Sequence, residues 1–337
     1  MDVLLTYDYE LFFGEDAGSV ERCMLEPTRR ILDVLDRHGA KATFYVDAGY
    51  LVRCQGLGAD ERGRTEVTAQ LRRLRAGGHG VELHVHPHWE DAVFEGARWV
   101  MNPARYRLAD FSSEAADRIV HSYSDSLSSA VGQRPVAYRA GGWCCQPFAH
   151  FADALFRSGI RVESTVVPGA RSMSRGRGYD FTGSPVAPWW RFESDPLEPV
   201  RGGRFVELPI TAMKVSPSFY WRIAASRLAR RSEDRAFGDG RSLTGDRDRL
   251  LRAMTRTSIV PVGLDGTKAM TLRTARRVAR GRGPLVAIGH PKAQTPRSLA
   301  LLDAFLAAHP QDRFVATRTW YEESIGEATS DLASRVE

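Results

Sequence analysis

The chain has 337 residues, of which 43% are hydrophobic and 26% are charged, and its formal net charge at pH 7 is +6. This composition is typical of a globular protein and excludes a disordered or fibrous chain. The positive charge comes almost entirely from arginine, because lysine occurs only at positions 41, 214, 268 and 292. An excess of this kind does not by itself indicate a nucleic-acid partner, so we expect none.

No apolar run reaches the roughly 18 residues that a membrane helix requires, so we expect no membrane span. The first residues already form an apolar strand pattern, without a basic segment and a cleavage site before it, which predicts a cytoplasmic protein. The cysteines, at positions 23, 54, 144 and 145, have neither zinc-ribbon nor disulfide-framework spacing. No pattern in the sequence indicates an oligomeric state.

Strand and helix patterns alternate along the first half of the chain. Apolar runs predict strands at 2–10, 42–46, 81–84, 136–139 and 161–167, and amphipathic periodicity predicts helices at 26–38, 65–75, 113–131 and 148–158. This order is typical of βαβ units, in which parallel strands form one sheet that helices cover.

The second half is less regular. Residues 168–204 are rich in Gly, Pro, Ser and Arg and predict a long functional loop, and residues 218–257 predict a helical insertion or lid. Around them, strands are predicted at 205–213, 285–288 and 313–317, and helices at 270–280 and 297–307. We therefore predict one α/β domain over residues 1–325, a distorted, TIM-like (β/α) barrel of about seven parallel strands, followed by a tail at 326–337.

Chemically active side chains follow the predicted strands where each strand ends. They are Asp8, Glu10, the histidines at 84, 86 and 88, Arg139, Glu163 and His290. A (β/α) barrel gathers the loops that follow its strands at one rim, and barrel enzymes carry their active sites there. The pattern therefore predicts a single site.

Histidines and carboxylates dominate this predicted site. Residues 79–89 read HGVELHVHPHW and hold four of the nine histidines of the chain. Imidazoles at alternate positions after an apolar strand are typical of a metal site. Asp8 and Glu10 lie two residues apart on an extended strand, so their carboxylates point to the same side. One of them can bind a metal while the other acts as a general base.

The strand-end motifs resemble those of the polysaccharide deacetylase family, the family 4 carbohydrate esterases that share the NodB homology domain. The first motif of that family is T-F-D-D, and residues 6–10 of this chain read T-Y-D-Y-E. The resemblance implies that Asp8 is the general base and that Glu10 replaces the metal-binding aspartate. The second motif, H-[S/T]-x-x-H, matches residues 84–88 and implies His84 and His88 as the other metal ligands. His86 is left as an unassigned third candidate.

Three further motifs of the family have counterparts in the sequence. Residues 138–143, Y-R-A-G-G-W, imply that Arg139 pairs with the base Asp8. Residues 161–165 match loosely and imply that Glu163 orients a catalytic group. Residues 288–291, I-G-H-P, imply that His290 is the general acid.

The resemblance implies metal-dependent hydrolysis of an N-acetyl group, with release of acetate, from an amino-sugar-containing intermediate that is nucleotide-linked, lipid-linked or part of a natural product. We expect Zn²⁺, with Co²⁺, Fe²⁺ or Ni²⁺ as alternatives because ligand type alone does not select among them. Substrate contacts are expected from Tyr9, Trp89, Gly142 and Trp143. The arginine-rich segment 171–177 is a candidate phosphate contact, and Trp189 and Trp190 are candidate sugar platforms.

Two other functions remain open from the sequence. One is a metal-dependent hydrolase of a cyclic amide or ureide, in which an HxH pair, either His84 and His86 or His86 and His88, binds the metal. A structure in which His84 and His86 hold the metal while His88 points away would favour it. The other is a saccharide-binding protein without turnover, which the missing second aspartate of the first motif would permit.

Overall fold

The computed structural model describes residues 1–14, 16–172, 178–229, 231–241 and 253–325. The predicted tail at 326–337 lies outside the described residues, and so do parts of the arginine-rich segment and of the insertion. None of the described helices combines the length and the apolar character that crossing a bilayer requires.

The strands are short outside the first three. They are β1 Asp2–Tyr9, β2 Ala42–Asp47, β3 Gly80–Val85, β4 Val93–Glu95, β5 Arg98–Val100, β6 Ala137–Ala140, β7 Val162–Glu163, β8 Arg171–Ser172, β9 Tyr179–Asp180, β10 Trp190–Phe192, β11 Phe205–Glu207, β12 Ala212–Val215, β13 Ser258–Pro261, β14 Leu285–Gly289 and β15 Arg313–Phe314.

Most helices lie between strands of the main sheet. They are α1 Glu26–Arg37, α2 Gly49–Leu57, α3 Glu61–Ala76, α4 Ser113–Val131, α5 Ala152–Arg157, α6 Pro217–Ala229, α7 Thr271–Ala279, α8 Pro296–Ala307 and α9 Thr317–Ser324. Local sequence explains their limits. Helix α4, for example, begins at the Ser112 hydroxyl, which accepts the Ala115 N–H, and ends at Gly132, whose φ is +71°. Ser112 is thus the N-cap of α4.

The central sheet has nine strands in the order β10, β11, β7, β6, β3, β2, β1 and β14, with β15 also paired to β1. Within it, only the β10–β11 pair is antiparallel. Seven parallel strands therefore follow one another from β11 to β14. The predicted α/β fold with a distorted (β/α) barrel is confirmed.

The sheet curls until its two ends approach each other. Ile210 N–H donates to Val166 O at 2.9 Å, and Thr211 N–H donates to Val286 O at 3.0 Å. The segment after β11 thus links the β7 side of the sheet to β14 through individual hydrogen bonds rather than through a regular ladder. This irregular closure makes the barrel a distorted one.

The barrel interior is apolar near the N-terminal ends of the strands. Leu4, Tyr45, Ala137, Val162, Val206, Leu208 and Val286 form one buried cluster there, closed from below by Trp320 and Ile325. Because side chains alternate along a strand, a strand that places Leu4 inside also places Thr6 and Asp8 inside. The opposite face of the sheet packs against the helices in the main core.

The less regular half of the chain departs from the prediction in several places. The strand predicted at 161–167 comprises only Val162–Glu163, and the predicted loop 168–204 contains the short strands β8, β9 and β10. Helices α2 and α9 were not predicted. Helix α2 contains two glycines and has little amphipathic periodicity, so a pattern search does not detect it.

The described part of the predicted insertion lies beside the rim at the C-terminal ends of the strands. Asp239 accepts hydrogen bonds from the Ser19 N–H and hydroxyl, both at 2.8 Å. Gly238 N–H donates to Lys292 O at 3.0 Å. The insertion is therefore attached to the loop after β1 and to the segment after β14.

Candidate active site

The candidate site lies inside the barrel, above the apolar cluster and at the C-terminal ends of β1, β3, β6 and β14. Asp8, Glu10, His84, His86 and Arg139 are all buried there. The register explains the grouping, because Asp8 lies opposite Tyr45, Asp47 opposite His84, and His84 opposite Arg139 on neighbouring strands. The predicted convergence of strand-end residues is therefore present.

Glu10, His84 and His86 form a group in which one ligand atom from each lies within 4.8 Å of the others. Glu10 Oε2 is 3.1 Å from His84 Nε2 and 2.8 Å from His86 Nε2. The angle at His86 does not allow a hydrogen bond, so this nitrogen is buried without one. Nitrogen atoms that converge on one carboxylate oxygen in this way are suited to a shared cation.

The group seen in the structure differs from the predicted ligand set Glu10, His84 and His88, because it contains His86 rather than His88. His84 and His86 lie two residues apart on extended backbone and therefore face the same side. Pro87 then begins a 3₁₀ turn, Pro87–Asp91, that rotates His88 away. The His88 ring stacks on Tyr106 at 5.6 Å, and both of its ring nitrogens are buried without a hydrogen bond to any described residue.

A glycine allows His86 to reach the group. A Cβ at Gly141 would lie 2.4 Å from His86 Nδ1, which is closer than any side chain permits. His84 is oriented differently, since its Nδ1–H donates to Arg139 O at 2.9 Å and its Nε2 is thereby directed at Glu10. The turn after β6 thus positions both imidazoles.

Lys292 lies beside the group and was not predicted to be there. Its ammonium donates to Glu10 Oε1 at 2.9 Å and to the Leu11 carbonyl, and it lies over the rings of Phe12 and Phe13. Only 6% of Lys292 is exposed. The signal in the sequence was its position two residues after His290.

Charge in the buried group is distributed unevenly. Burial favours a protonated Glu10, but the charge of Lys292 above all, and then the hydrogen bond from His84, hold its pKa well below the usual range. Burial also opposes a charged His84, but Asp8 and Glu10 raise its pKa to about 9. Burial lowers the pKa of His86 to about 4, so this imidazole is neutral and one of its ring nitrogens has a lone pair available to a cation.

Asp8 and Arg139 form a buried ion pair, as predicted. Arg139 Nη1 donates to Asp8 Oδ1 at 2.7 Å, and its Nε donates to Ser164 O at 2.7 Å. The guanidinium also lies over the ring of Tyr45 at 4.0 Å. These contacts fix the guanidinium, which in turn holds the Asp8 carboxylate in one orientation.

His290 faces the same group from β14. Its Nε2 lies 3.7 Å from Asp8 Oδ2 and 3.8 Å from Glu10 Oε1. Its Nδ1 lies 2.9 Å from Asp265 Oδ2, and its backbone N–H donates to the other Asp265 oxygen at 2.7 Å. Burial opposes the charged form, but Asp265 above all, and then Asp8, raise the pKa of His290. Asp265, which no sequence pattern indicated, therefore keeps a proton on this ring.

Asp47 is another buried acid that the sequence analysis missed, although it ends a predicted strand. Trp89 Nε1 donates to Asp47 Oδ2 at 2.6 Å, and burial raises the pKa of Asp47 to about 7. Trp89 itself is 1% exposed and packs against Tyr50 and Trp99. Its ring is therefore part of the core and is not presented as the expected sugar platform.

Glu163 is not brought into contact with the described site residues. It lies on the opposite face of its strand, where its carboxylate accepts the N–H and hydroxyl of Thr165. Burial raises the pKa of both Glu163 and the neighbouring Glu207. Because the Thr165 hydroxyl accepts the Ala140 N–H, Glu163 supports the turn after β6 from behind.

The remaining predicted substrate contacts divide into rim and core residues. Gly142 is exposed at the rim with φ +59°, and Trp143 is half-buried beside Tyr179. Tyr9 faces the helices, where its hydroxyl donates to Gln70 at 2.8 Å. Tyr9 is fully buried and so is not presented to a ligand.

The loop residues proposed for phosphate and sugar contact are largely engaged elsewhere. Trp190 is buried and donates to Pro196 O, and Trp189 packs against the lower interior cluster. Arg171 pairs with Asp180 at 3.1 Å, while residues 173–177 lie outside the described residues.

The donor set of the buried group fits a divalent metal. Two imidazole nitrogens and one carboxylate oxygen are the ligands typical of catalytic zinc, which keeps a further position for water or substrate. The orphaned nitrogen atoms of His86 support this fit, because buried polar atoms are otherwise almost always hydrogen-bonded. Glu10, His84 and His86 are therefore the residues that would hold the metal.

Comparison with known proteins agrees with this geometry. Residues 2–143 match the family model of the polysaccharide deacetylases. No curated protein matches the chain significantly.

Three solved structures illustrate the resemblance. A provisionally assigned polysaccharide deacetylase from Mycobacterium smegmatis is 17% identical over 90% of this chain and 78% of that chain, with a TM-score of 0.48. A peptidoglycan deacetylase from Bacillus subtilis is 12% identical over 100% and 97%, with a TM-score of 0.39. A family 4 carbohydrate esterase from Streptomyces lividans in complex with acetate is 12% identical over 92% and 89%, with a TM-score of 0.37. Similarities this weak carry no argument by themselves.

The matched region contains most of the site. It includes β1 with Asp8 and Glu10, the histidines after β3, and the Arg139 turn after β6, whereas His290 and Lys292 lie beyond it. Residues 2–143 of this chain thus match the polysaccharide deacetylase family model, with Asp8, Glu10, the histidines and Arg139 inside the matched region.

Proposed function

We propose that this protein hydrolyses an N-acetyl group from an amino-sugar-containing molecule and releases acetate, using a Zn²⁺ ion held by Glu10, His84 and His86. The observation that carries the proposal is that three parts of the site meet at one place. The group of Glu10, His84 and His86 lies beside Asp8, which Arg139 holds, and beside His290, which Asp265 holds.

Asp8 is the proposed general base. Its pairing with Arg139 engages Oδ1 and leaves the other carboxylate oxygen, Oδ2, facing His84 and His290. A carboxylate fixed in this way can take a proton from a water molecule that enters the group. When bound, a divalent metal polarises the substrate carbonyl and lowers the pKa of that water.

His290 is the proposed general acid. Asp265 holds its Nδ1–H and leaves Nε2 directed at the site, so a proton on Nε2 can pass to the departing amine. Burial opposes the charged ring, but Asp265 raises the pKa of His290 and so favours the protonated form. At the rim, Gly142 is the proposed source of a backbone N–H for the acyl oxygen, and Trp143 is the proposed contact for the sugar.

The test is acetate release from the purified protein, first stripped of metal with a chelator and then reconstituted with Zn²⁺ or Co²⁺. We expect release from N-acetylated amino sugars only after reconstitution. A protein that binds one metal ion per chain and releases no acetate from a broad panel would contradict the proposal and would favour a saccharide-binding protein without turnover.

One observation favours a second candidate, a metal-dependent hydrolase of a cyclic amide or ureide. His84 and His86 both belong to the group with Glu10, while His88 turns away from it. This is the arrangement expected of an HxH site. Dihydrouracil and hydantoin in the same assay distinguish the two functions. Their hydrolysis without acetamide cleavage would establish the second candidate.

A further inference from the structure

A cavity of about 630 Å³ lies behind the proposed general acid. One wall consists of Asp265 and the residues that follow it, and the facing wall comes from α6 and residues 231–236. Ala293 and Thr295, which follow Lys292, complete the floor. The cavity therefore shares Asp265 with the site, since the same carboxylate holds His290 at 2.9 Å. Its volume is in the range of small-molecule pockets.

The charged side chains that line this cavity are mainly cationic. They are Arg231, Arg235 and Lys268, with the acids Asp234 and Asp265. Arg231 is only loosely paired, at 3.7 Å from Glu233. Among the described residues, no ion pair or side-chain hydrogen bond engages Arg235 or Lys268, and both are exposed.

The two acids of the cavity are already engaged and do not neutralise these cations. Asp234 accepts from Arg297 Nε at 2.5 Å and from the Ser226 hydroxyl at 2.7 Å. Asp265 accepts from the His290 ring and backbone. The net potential of the cavity is therefore positive, and two of its three cations are available to a ligand.

We propose that this cavity binds a phosphate or diphosphate group of the substrate through Arg231, Arg235 and Lys268. The inference rests on the proposed deacetylation and names its substrate class, a phosphate-linked 2-acetamido sugar. In such a sugar the acetamido group and the anomeric phosphate are attached to adjacent carbons. A phosphate subsite must then lie close to the general acid, as this cavity does. Guanidinium groups match phosphate oxygens in pairs, and clustered cations favour a polyanion.

The carrier beyond the phosphate is a nucleoside or a lipid, and the phosphate chemistry is common to both. Tyr220 and Ile223 of α6 provide an aromatic and an aliphatic contact in the same cavity. The test therefore includes both carriers.

The test compares two double variants of the full-length chain with the wild type. Arg235→Gln/Lys268→Gln removes the two available cations. Arg201→Gln/Arg282→Gln removes the same charge at positions that do not line the cavity. None of these residues belongs to the catalytic group, and equal melting temperatures show that the variants are folded.

The first measurement is calorimetric binding of uridine diphosphate. We expect the cavity variant to bind at least about tenfold more weakly, as two lost charge-assisted contacts imply, and the control variant to bind like the wild type. Equal weakening in both variants would show general electrostatic attraction and would overturn the proposal.

The second measurement is kcat/KM for acetate release. The substrates are uridine diphosphate N-acetylglucosamine, a short-chain prenyl diphosphate N-acetylglucosamine, and uncharged di-N-acetylchitobiose. We expect the cavity variant to lose at least about tenfold on phosphorylated substrates and little on chitobiose. A preference for either carrier supports the proposal and identifies the carrier.

The two hypotheses fail differently in this design. Unchanged kcat/KM of the cavity variant on every phosphorylated sugar would overturn the phosphate subsite and leave deacetylation standing. Acetate release from none of the sugars, together with diphosphate binding that only the cavity variant loses, would overturn deacetylation and retain an anion site.

Discussion

The two ends of the barrel interior are built from the same strands but differ in almost every physical property. Near the N-terminal ends, Leu4 and Ala137 lie in a closed apolar cluster that Trp320 seals. Near the C-terminal ends of these strands, Asp8 and Arg139 form a buried ion pair. The charged position lies four residues after the apolar one on β1 and two residues after it on β6. Alternation thus directs both sets inward, while position along the strand divides packing from chemistry.

The comparison predicts that changes at the charged end affect activity far more than folding, and that changes at the apolar end do the reverse. The largest effect is expected for Asp8→Asn. The amide still accepts from Arg139 but cannot take a proton, so we expect kcat to fall by roughly 10³-fold with metal content unchanged. Acetate release and elemental analysis measure the two quantities.

Asp2→Asn is the matched control, because Asp2 lies at the other end of β1 and pairs with Arg313 at the surface. We expect its kcat to remain within about twofold of the wild type. Full activity in Asp8→Asn would show that Asp8 is not the general base. It would also contradict the proposal that the charged end of the barrel serves catalysis and the apolar end serves packing.

The next effect separates the two histidines between which the sequence could not decide. His86→Ala should weaken Zn²⁺ binding by more than the roughly 10- to 100-fold that loss of an outer-shell partner costs. His88→Ala should change it less, because His88 lies outside the group. Competition with a chromophoric chelator measures both affinities. The opposite ranking would restore His88 as the ligand.

At the apolar end, Trp320→Ala should lower the free energy of unfolding by about 3–5 kcal/mol, as is usual for a large aromatic removed from a core. Trp320 is 2% exposed, whereas Trp221 is 58% exposed. Trp221→Ala should therefore cost less than about 1 kcal/mol. Denaturant titration measures both, and similar losses for the two variants would show that the lower cluster does not seal the barrel.

The smallest effect concerns a histidine at the lower end, just before β3. Burial lowers the pKa of His79 to about 4, and its Nδ1 accepts the Ala42 N–H at 3.2 Å. The folded protein therefore holds this ring neutral, while the unfolded chain protonates it below about pH 6.5. The contribution of His79 to the free energy of unfolding is therefore fully present above pH 6.5 and is lost as the pH falls towards 4. The loss amounts to at most about 3 kcal/mol.

His79→Gln should reduce the decrease in the free energy of unfolding between pH 7 and pH 4.5. His121→Gln, at a half-exposed histidine, is the control and should leave this decrease unchanged. Urea titrations at pH 7 and pH 4.5 give the comparison. An equal pH dependence in the wild type and His79→Gln would show that protonation elsewhere governs acid stability.

Much of the first half of the fold was predictable because its strands are long apolar runs with single helices between them. The second half was not, since β7 and β11 have only two and three residues and carry no periodicity of their own. Their pairing depends on neighbours distant in the chain, which a local pattern does not contain.

The site was predictable where acidic residues or histidines recur at short spacing in the sequence. It was not predictable where a contact joins residues that are distant in the sequence. Asp8, Glu10 and the histidine cluster were identified from the sequence, and so was the Asp8–Arg139 pair through the family motif. His86 was left undecided because the turn at Pro87 determines which imidazole faces inward. Asp265 and Lys292 contact residues 25 and 282 positions away in the chain. No sequence pattern indicates the contact of Asp265, and the only signal for Lys292 is its position two residues after His290.

The contact between Lys292 and Glu10 has a consequence for metal selection in the cell. Because the ammonium occupies Oε1, Glu10 offers one oxygen to a cation, and the other two donors are nitrogen. Mg²⁺ and Ca²⁺ require mostly oxygen donors, and Ca²⁺ often binds both oxygens of one carboxylate. In the proposed metal centre, the lysine would therefore disfavour the abundant hard cations and favour scarcer ions that accept imidazole.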